Sequence, residues 1–179
     1  MVGVALLAVL IIIFLIVFRP GGETPVVPDN TDDPNGTTTE APPEEVACAP
    51  ADILIEAVTD RSSYSSSQQP ELSMTITNRG FLPCTLNVGS TQQKLVVTSG
   101  SETYWISTDC QVDPVDDVRI LQPSVPLQTS ATTWDRTRSS ASTCGTTNKP
   151  KVPGGGASYH LTVYVGDIKS ETTKQMVLN

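Results

Sequence analysis

Cys110 lies in an acidic stretch, TYWISTDCQVDPVDD (residues 103–117), where a thiol and several carboxylates are close in sequence. Four aspartates accompany it: Asp109, Asp113, Asp116 and Asp117. This composition is compatible with a reactive thiol, with a calcium loop, or with one half of a disulfide. A nucleophilic cysteine needs a neighbouring base, whereas adjacent carboxylates disfavour the thiolate. The sequence neighbours therefore argue against a catalytic thiol.

The other residues needed for catalysis or metal binding are poorly placed. The single histidine, His160, alternates with Tyr159, Leu161 and Val163 along a predicted strand, so we expect it to face away from the core. The spacing of an EF-hand is absent, and Pro114 interrupts the acidic run. We therefore predict no catalytic residue, no bound metal and no cofactor.

The four cysteines are predicted to form two disulfides. None belongs to a C-x-x-C motif, and four well-separated cysteines are typical of an extracellular β domain. If the segments 52–58 and 71–77 pair as antiparallel strands, the cysteine before the first and the one after the second lie at the same end. This geometry favours one of the three connectivities, which joins Cys48 to Cys84 and Cys110 to Cys144.

Two tryptophans and two arginines are the candidate interaction residues. Trp105 and Trp134 would either pack in the core or contact a partner, and both interpretations are retained. Arg136 and Arg138 follow Trp134 in WDRTRSS. They would project from a loop, or pair with the aspartates around Cys110 across the second disulfide.

The elements that must position these residues are strands. From Cys48 onward, apolar residues recur with a period of two, separated by Gly-, Pro- and Asn-rich turns. We predict an immunoglobulin-like antiparallel β-sandwich over residues 48–179, with a closed barrel as the alternative. The predicted strands cover residues 52–58, 71–77, 85–88, 94–99, 103–107, 118–121, 159–165 and 172–178, with a weaker candidate at 125–134.

The N-terminal part of the chain has a different composition. Residues 2–18, VGVALLAVLIIIFLIVF, carry no charge, and we predict one transmembrane helix over residues 1–18. Residues 19–47 are rich in Pro, Thr and acids, which predicts a disordered linker. The linker holds −6 of the formal charge of −8, so the β domain is only slightly acidic. We expect a single-pass protein of the cell membrane, with the C-terminal domain outside.

The β region resembles a known group of domains. The stretches ELSMTITNRGFLPCTLNVGS, LVVTSGSETYWISTDCQ, ILQPSVPLQTSATTWDRTRSSASTC and VPGGGASYHLTVYVGDIKSE are similar to a family of actinobacterial membrane-anchored domains of unknown function. Their layout also resembles the BsuPI-type domain, named after an intracellular proteinase inhibitor. The resemblance implies a β fold and, for the BsuPI-type domain, an inhibitory role. The four cysteines and the membrane anchor depart from the inhibitor's pattern.

Taken together, these features predict a non-enzymatic interaction module of the cell envelope. Its partner would be a protein or a cell-wall polymer, and residues 2–18 would contact the membrane. An inhibitor-like regulator of proteases is the alternative, and a hydrolase is a weaker one because no nucleophile–base motif occurs. Nucleic acid is not expected as a partner because the domain has no basic stripe.

Overall fold

The computed structural model describes residues 46–179. The predicted transmembrane helix and nearly all of the predicted linker lie outside these residues. No helix within residues 46–179 is long and apolar enough to cross a membrane. The described residues belong to one compact unit, Pro43–Asn179. Because this unit contains every described strand, a buried core and both disulfides, we expect it to fold as an independent domain.

The described residues contain twelve strands and two short 3₁₀ helices, which are connected by loops. The strands are β1 Ile53–Thr59, β2 Ser63–Tyr64, β3 Glu71–Asn78, β4 Cys84–Asn87, β5 Gln93–Ser99, β6 Glu102–Ile106, β7 Val118–Leu121, β8 Leu127–Gln128, β9 Thr132–Thr133, β10 Ala157–Val165, β11 Ile168–Lys169 and β12 Lys174–Leu178. The 3₁₀ helices are Pro50–Asp52 and Ala141–Thr143. The chain is therefore mainly β, as the period of two predicted.

The strands form two larger sheets and a two-stranded ribbon. One sheet has the order β1-β3-β8, and β9 also pairs with β3. The other has the order β2-β12-β10-β5-β6, and β11 also pairs with β10. Strands β4 and β7 form the separate ribbon. Both larger sheets are open, and together they form a β-sandwich-like fold rather than a closed barrel.

The alternation along the longest strands creates the core between the sheets. The inward residues of β3 and β10, which belong to different sheets, are buried, and they share one core with the inward residues of β1, β5 and β12. The fully buried side chains include Ile55, Leu72, Met74, Ile76, Val97, Leu161, Val163, Met176 and Leu178. Burial of apolar side chains on this scale is the main force that holds the sheets together.

The predicted neighbours β1 and β3 are antiparallel, with a register that runs from Ile53 opposite Asn78 to Thr59 opposite Leu72. This pairing brings Cys48 and Cys84 to the same end, where they form a disulfide. The second disulfide joins Cys110 to Cys144. The predicted connectivity is confirmed.

The observed strands and their pairing differ from the prediction in several short segments. Strands β2 and β11 were not expected, because two residues are too few to show a period. The weak candidate at 125–134 divides into β8 and β9, which pair with different parts of β3. The parallel pairing of β2 with β12 is also absent from the sequence prediction.

Candidate functional site

Residues 134–151, which we name the Trp loop, fold back over strand β6. The backbone amide of Ser139 donates to the carbonyl of Tyr104 at 3.1 Å. The hydroxyl of Ser139 accepts from the amide of Ile106 at 2.7 Å. Because β6 is the last strand of its sheet, these bonds occupy an edge that would otherwise be open.

Further backbone bonds close the base of the Trp loop. The amide of Arg138 donates to the carbonyl of Pro150 at 2.8 Å, and the amide of Val152 donates to the carbonyl of Arg136 at 2.9 Å. Between them, Thr137 and Lys151 form an isolated antiparallel bridge. The two ends of the loop are thus held side by side, and Cys144 lies in the tip between them.

Trp134 anchors the loop in the core. Its side chain is fully buried, and its indole N–H donates to the carbonyl of Thr137 at 3.0 Å. The ring lies 5.5 Å from that of Tyr159 in an edge-to-face arrangement, and 6.4 Å from that of Trp105. Of the two interpretations retained for Trp134, core packing is the one that the structure supports. Trp134 presents no surface to a partner.

Arg136 is also buried, which the sequence did not predict. Its guanidinium donates to the carbonyl oxygen of Ser65 at 2.7 Å, to that of Gln68 at 3.4 Å and to the backbone oxygen of Asn179 at 3.2 Å. The residue therefore links the Trp loop to two distant parts of the chain. The expectation that Arg136 projects from the loop is wrong.

Arg138 lies at the surface and pairs with a neighbour on β6. Its guanidinium donates to Glu102 at 2.6 Å and sits 4.1 Å above the ring of Tyr104. This hydrogen bond is the main cause that lowers the pKa of Glu102 and raises that of Arg138. A hydrogen bond with Glu102 likewise raises the pKa of Tyr104. Neither arginine pairs with the aspartates near Cys110, so that predicted contact is wrong.

A groove lies between β6 and the Trp loop, and Trp105 is half-buried in it. We name it the Trp105 groove. It consists of a depression of about 270 Å³ beside Trp105, between β6 and the Trp loop, and a second of about 580 Å³ that is lined by the Trp loop and Gln69 and shares lining residues with the first. Both depressions are lined by Asp135, Thr137 and Lys149. The first also contacts Ile106, Ser107, Cys110, Thr133, Arg138 and Ser139, and the second Gln69, Thr146, Thr147, Asn148 and Lys151.

The cations of the groove differ in their surroundings. Arg138 is neutralised by Glu102, whereas no carboxylate of residues 46–179 lies within salt-bridge distance of Lys149 or Lys151. The ammonium of Lys149 is partly buried and lies 4.0 Å from Cys110 Sγ, a weak acceptor. The one carboxylate that lines both depressions, Asp135, accepts from the amide and the hydroxyl of Thr137 at 3.0 and 2.6 Å.

Residues 109–117, which we name the acidic loop, adjoin the groove at Cys110. Its carboxylates bond to local partners: Asp109 accepts from Ser139, Asp117 from Arg119 at 2.6 Å, and Asp116 from Asn87 at 2.6 Å. Asp116 also accepts from the hydroxyl of Thr91. These bonds to Thr91 and Asn87 lower the pKa of Asp116. Three of the four carboxylates of the acidic loop are therefore bonded to side chains of neighbouring segments.

Among residues 46–179, no three of the His, Cys, Asp and Glu side chains are grouped so that they could hold a metal ion. His160 lies in β10, outside the Trp105 groove, and its Nδ1 is 3.0 Å from the hydroxyl of Thr173. All four cysteines of the chain are joined in disulfides, so the described residues include no free thiol.

Another depression, of about 390 Å³, lies beside strands β7 and β8. Its two charged lining residues, Asp117 and Arg119, bind each other at 2.6 Å. A charged ligand would have to compete with that pair. The Trp105 groove, with two lysines that have no carboxylate partner among the described residues, is the better candidate site.

No protein-family model matches the chain, and no curated protein matches it. Two solved structures share a weak likeness in shape. A β-glucosidase, EmGH1, from Erythrobacter marinus aligns over 71% of this chain and 15% of its own length, with 12% identity and a TM-score of 0.40. Spo0M, a sporulation control protein from Bacillus subtilis, aligns over 71% of this chain and 49% of its own, with 10% identity and a TM-score of 0.36. The chain thus spans less than two thirds of either protein, and likenesses at this level give no information on function.

Proposed function

We propose that this chain is a non-enzymatic interaction module of the cell envelope, and that it binds its partner in the Trp105 groove. The observation that carries the proposal is that one concave site combines a half-buried tryptophan with Lys149, which has no carboxylate partner among residues 46–179. Binding sites typically join an aromatic surface to a few polar groups that converge on the ligand. The residues that line the groove include no imidazole and no free thiol, so we assign it to recognition rather than to covalent catalysis.

We further propose that the domain is immunoglobulin-like. Strands β1, β3 and β8/β9 would correspond to A, B and E of that fold, while β5, β10 and β12 would correspond to C, F and G. The hydroxyl of Tyr159, near the start of β10, donates to the carbonyl of Pro153 at 2.8 Å. A tyrosine that bonds to the backbone a few residues upstream is a feature of strand F in immunoglobulin-like domains. The inter-sheet disulfide of antibody domains has no counterpart, because both disulfides here join strand ends and loops. The relationship to BsuPI-type domains stays a proposal based on the quoted sequence resemblance.

The membrane location is proposed from the apolar run at residues 2–18 and from the two disulfides, which are favoured outside the reducing cytosol. Carbonate extraction of membranes from the native host tests it. We expect the full chain to remain in the pellet, and a chain without residues 2–18 to be extracted. Release of the full chain into the supernatant would contradict the anchor.

Site-specific photo-crosslinking of the full chain in living cells tests the interaction site. A photoreactive residue in place of Asn148, which is exposed and lines the groove, should form an adduct. The same residue in place of Lys174, which is exposed on β12 and separated from β6 by β10 and β5, is the control. An adduct at the groove and none at the control supports the proposal. Equal labelling at both positions, or no adduct at either, contradicts it.

A further inference from the structure

We infer that the Trp105 groove binds an acidic polysaccharide, with a sugar ring against Trp105 and anionic groups on Lys149 and Lys151. This inference rests on the proposed function and names its ligand class. It combines three properties of the lining residues: an aromatic surface, a set of hydrogen-bonding groups, and cations that the described residues do not neutralise.

The aromatic surface is held in place from behind. Trp105 lies on β6, between the fully buried Trp134 and the groove, and the two rings are tilted by 40° at a centroid distance of 6.4 Å. An indole supported in this way gives a ligand a large apolar contact at little cost in conformational entropy. The C–H face of a sugar ring matches such a surface, because its hydroxyl groups point to the ring's periphery and remain free to bond.

The hydrogen-bonding groups around that surface suit hydroxyl-rich ligands. The hydroxyl oxygens of Thr133 and Thr137 can accept, because their protons are donated to Glu71 at 2.7 Å and to Asp135 at 2.6 Å, and the amide of Asn148 can both donate and accept. Asp135 has a fixed orientation because it accepts twice from Thr137. Such a mixed set of donors and acceptors can satisfy a row of sugar hydroxyls. The two adjoining depressions extend the site beyond a single sugar, so the ligand is expected to be an oligosaccharide segment.

The cations of the groove favour an acidic glycan over a neutral one. Lys149 is partly buried, and its ammonium faces a disulfide sulfur instead of a carboxylate. Because no carboxylate among residues 46–179 pairs with this ammonium, an anionic group of the ligand could form a charge-assisted hydrogen bond with it. Lys151 lines the same depression and bridges to Thr137 at the base of the loop. Two cations along one groove match an anionic group on successive sugars.

An extended acidic peptide fits the groove less well than a glycan. Peptides are commonly bound by adding a strand to an open sheet edge. Here the Trp loop covers the edge of β6, because Ser139 bonds to Tyr104 and Ile106. The groove therefore offers side chains rather than a row of backbone groups. The ligand class must then be recognised by stacking, hydroxyl bonding and charge.

The test uses calorimetry with a fragment of residues 46–179 and pairs of matched probes. The first pair is hexagalacturonate and its methyl ester, which have the same length and linkage but differ in charge. Sulfated and phosphate-bearing oligosaccharides, each with its neutral parent, identify which anionic group is preferred, and polyglutamate represents an acidic peptide. We expect at least one acidic glycan to bind at least about tenfold more tightly than its neutral partner, with an affinity that falls as salt is added.

Substitutions connect that binding to the groove. Lys149→Gln combined with Lys151→Gln should weaken acidic-glycan binding by at least about tenfold. The matched control, Lys169→Gln with Lys174→Gln, removes the same charge from β11 and β12 and should leave binding unchanged. Trp105→Ala should weaken binding similarly, and Trp105→Phe should restore part of it if the aromatic surface is responsible. Circular dichroism and thermal melting verify that each variant is folded.

Several results would overturn the inference. These are equal binding of acidic and neutral partners, equal loss in the control pair, preference for polyglutamate, or absence of binding to every glycan. The cross-linking experiment separates this outcome from failure of the proposed function. An adduct at Asn148 with no glycan binding would retain the interaction module and reject the polysaccharide. No adduct at Asn148 would reject the interaction site itself.

Discussion

The two loops that the Cys110–Cys144 disulfide joins use their charged residues in different ways. The carboxylates of Asp109, Asp116 and Asp117 in the acidic loop accept hydrogen bonds from nearby side chains. The Trp loop buries one cation, pairs a second, and leaves Lys149 without a carboxylate partner among residues 46–179. The difference separates charges that support the fold from a charge that is available to a ligand. The sequence analysis placed its candidate interaction residues on β6 and the Trp loop (Trp105, Trp134, Arg136 and Arg138), and it did not include Lys149 among them.

The anchoring of the two loops differs as well. The acidic loop is fastened to the turn between β4 and β5, because the amide of Val115 donates to Ser90 at 2.9 Å and the amide of Thr91 donates to the carbonyl of Val115 at 3.2 Å. The tip of the Trp loop, residues 140–148, has mainly internal bonds of this kind, such as that from Thr143 to Ser140. The tip therefore depends on the disulfide, and the acidic loop does not.

The largest effect is expected at the base of the Trp loop. Trp134→Ala removes a fully buried indole that packs against Tyr159 and Trp105. We expect the free energy of unfolding to fall by about 3–5 kcal/mol, as measured by urea denaturation. Trp105→Ala serves as the comparison and should cost clearly less, because its side chain is only partly buried. Equal losses for the two variants would contradict the distinction between core and groove tryptophans.

Removal of the second disulfide has the next largest effect. The double variant Cys110→Ser/Cys144→Ser releases a loop with a sequence separation of 34 residues. The chain-entropy model gives a loss of roughly 3–4 kcal/mol in stability. Thermal melting measures this loss, and amide hydrogen exchange shows where it acts.

Amide hydrogen exchange in that double variant also tests whether the tip of the Trp loop depends on the disulfide more than the acidic loop does. Protection should disappear at residues 140–148 and persist at Val115 and Asp117, whose amides donate to Ser90 and Asn87. The variant Cys48→Ser/Cys84→Ser, which opens the other disulfide, is the control and should leave protection at 140–148 intact. Loss of protection in both loops alike would show that the acidic loop also depends on the Cys110–Cys144 bond.

These differences explain why the sequence predicted the fold better than the site. The strands β1, β3 and β10 alternate over seven to nine residues, and that alternation is a local signal. The burial of Arg136 has no local signal, because its acceptors lie near Ser65 and at Asn179. The burial of Arg136 can therefore be recognised from the folded structure but not from the sequence around it.

Lys149 was missed for a similar reason. It lies in a loop with Thr, Asn and Pro neighbours, where a lysine is normally a solvated surface residue. The signal that was available is the disulfide connectivity. Pairing Cys110 with Cys144 brings the segment after Cys144 close to β6 and Trp105, so a cation five residues beyond that cysteine becomes a candidate for the site.

A smaller effect is expected where the acidic loop docks on Gly89. A Cβ atom at this position would lie 2.3 Å from the carbonyl oxygen of Val115 and 2.4 Å from the amide nitrogen of Asp117, so backbone would have to shift. Gly89→Ala should therefore reduce stability by about 1–3 kcal/mol. Gly145→Ala, in the tip of the Trp loop, is a matched control because a Cβ atom there meets no atom within 4 Å. A Gly89→Ala protein with wild-type melting behaviour would mean that the acidic loop is not held against this turn.

The smallest effect concerns the charge of Asp116 and its dependence on pH. Hydrogen bonds from Thr91 and Asn87 lower the pKa of Asp116 in the folded state below the ordinary value of 3.8. A carboxyl whose folded pKa is depressed contributes stability above its unfolded pKa and loses that contribution as the pH falls through the folded value. The difference in melting temperature between the wild type and Asp116→Asn should therefore be small and constant above about pH 5, and should shrink below about pH 4. Because the side chain is exposed, solvent screening limits the size of the effect. If the difference between the wild type and Asp116→Asn instead grew as the pH was lowered, the acidic loop would not stabilise the charged form of Asp116.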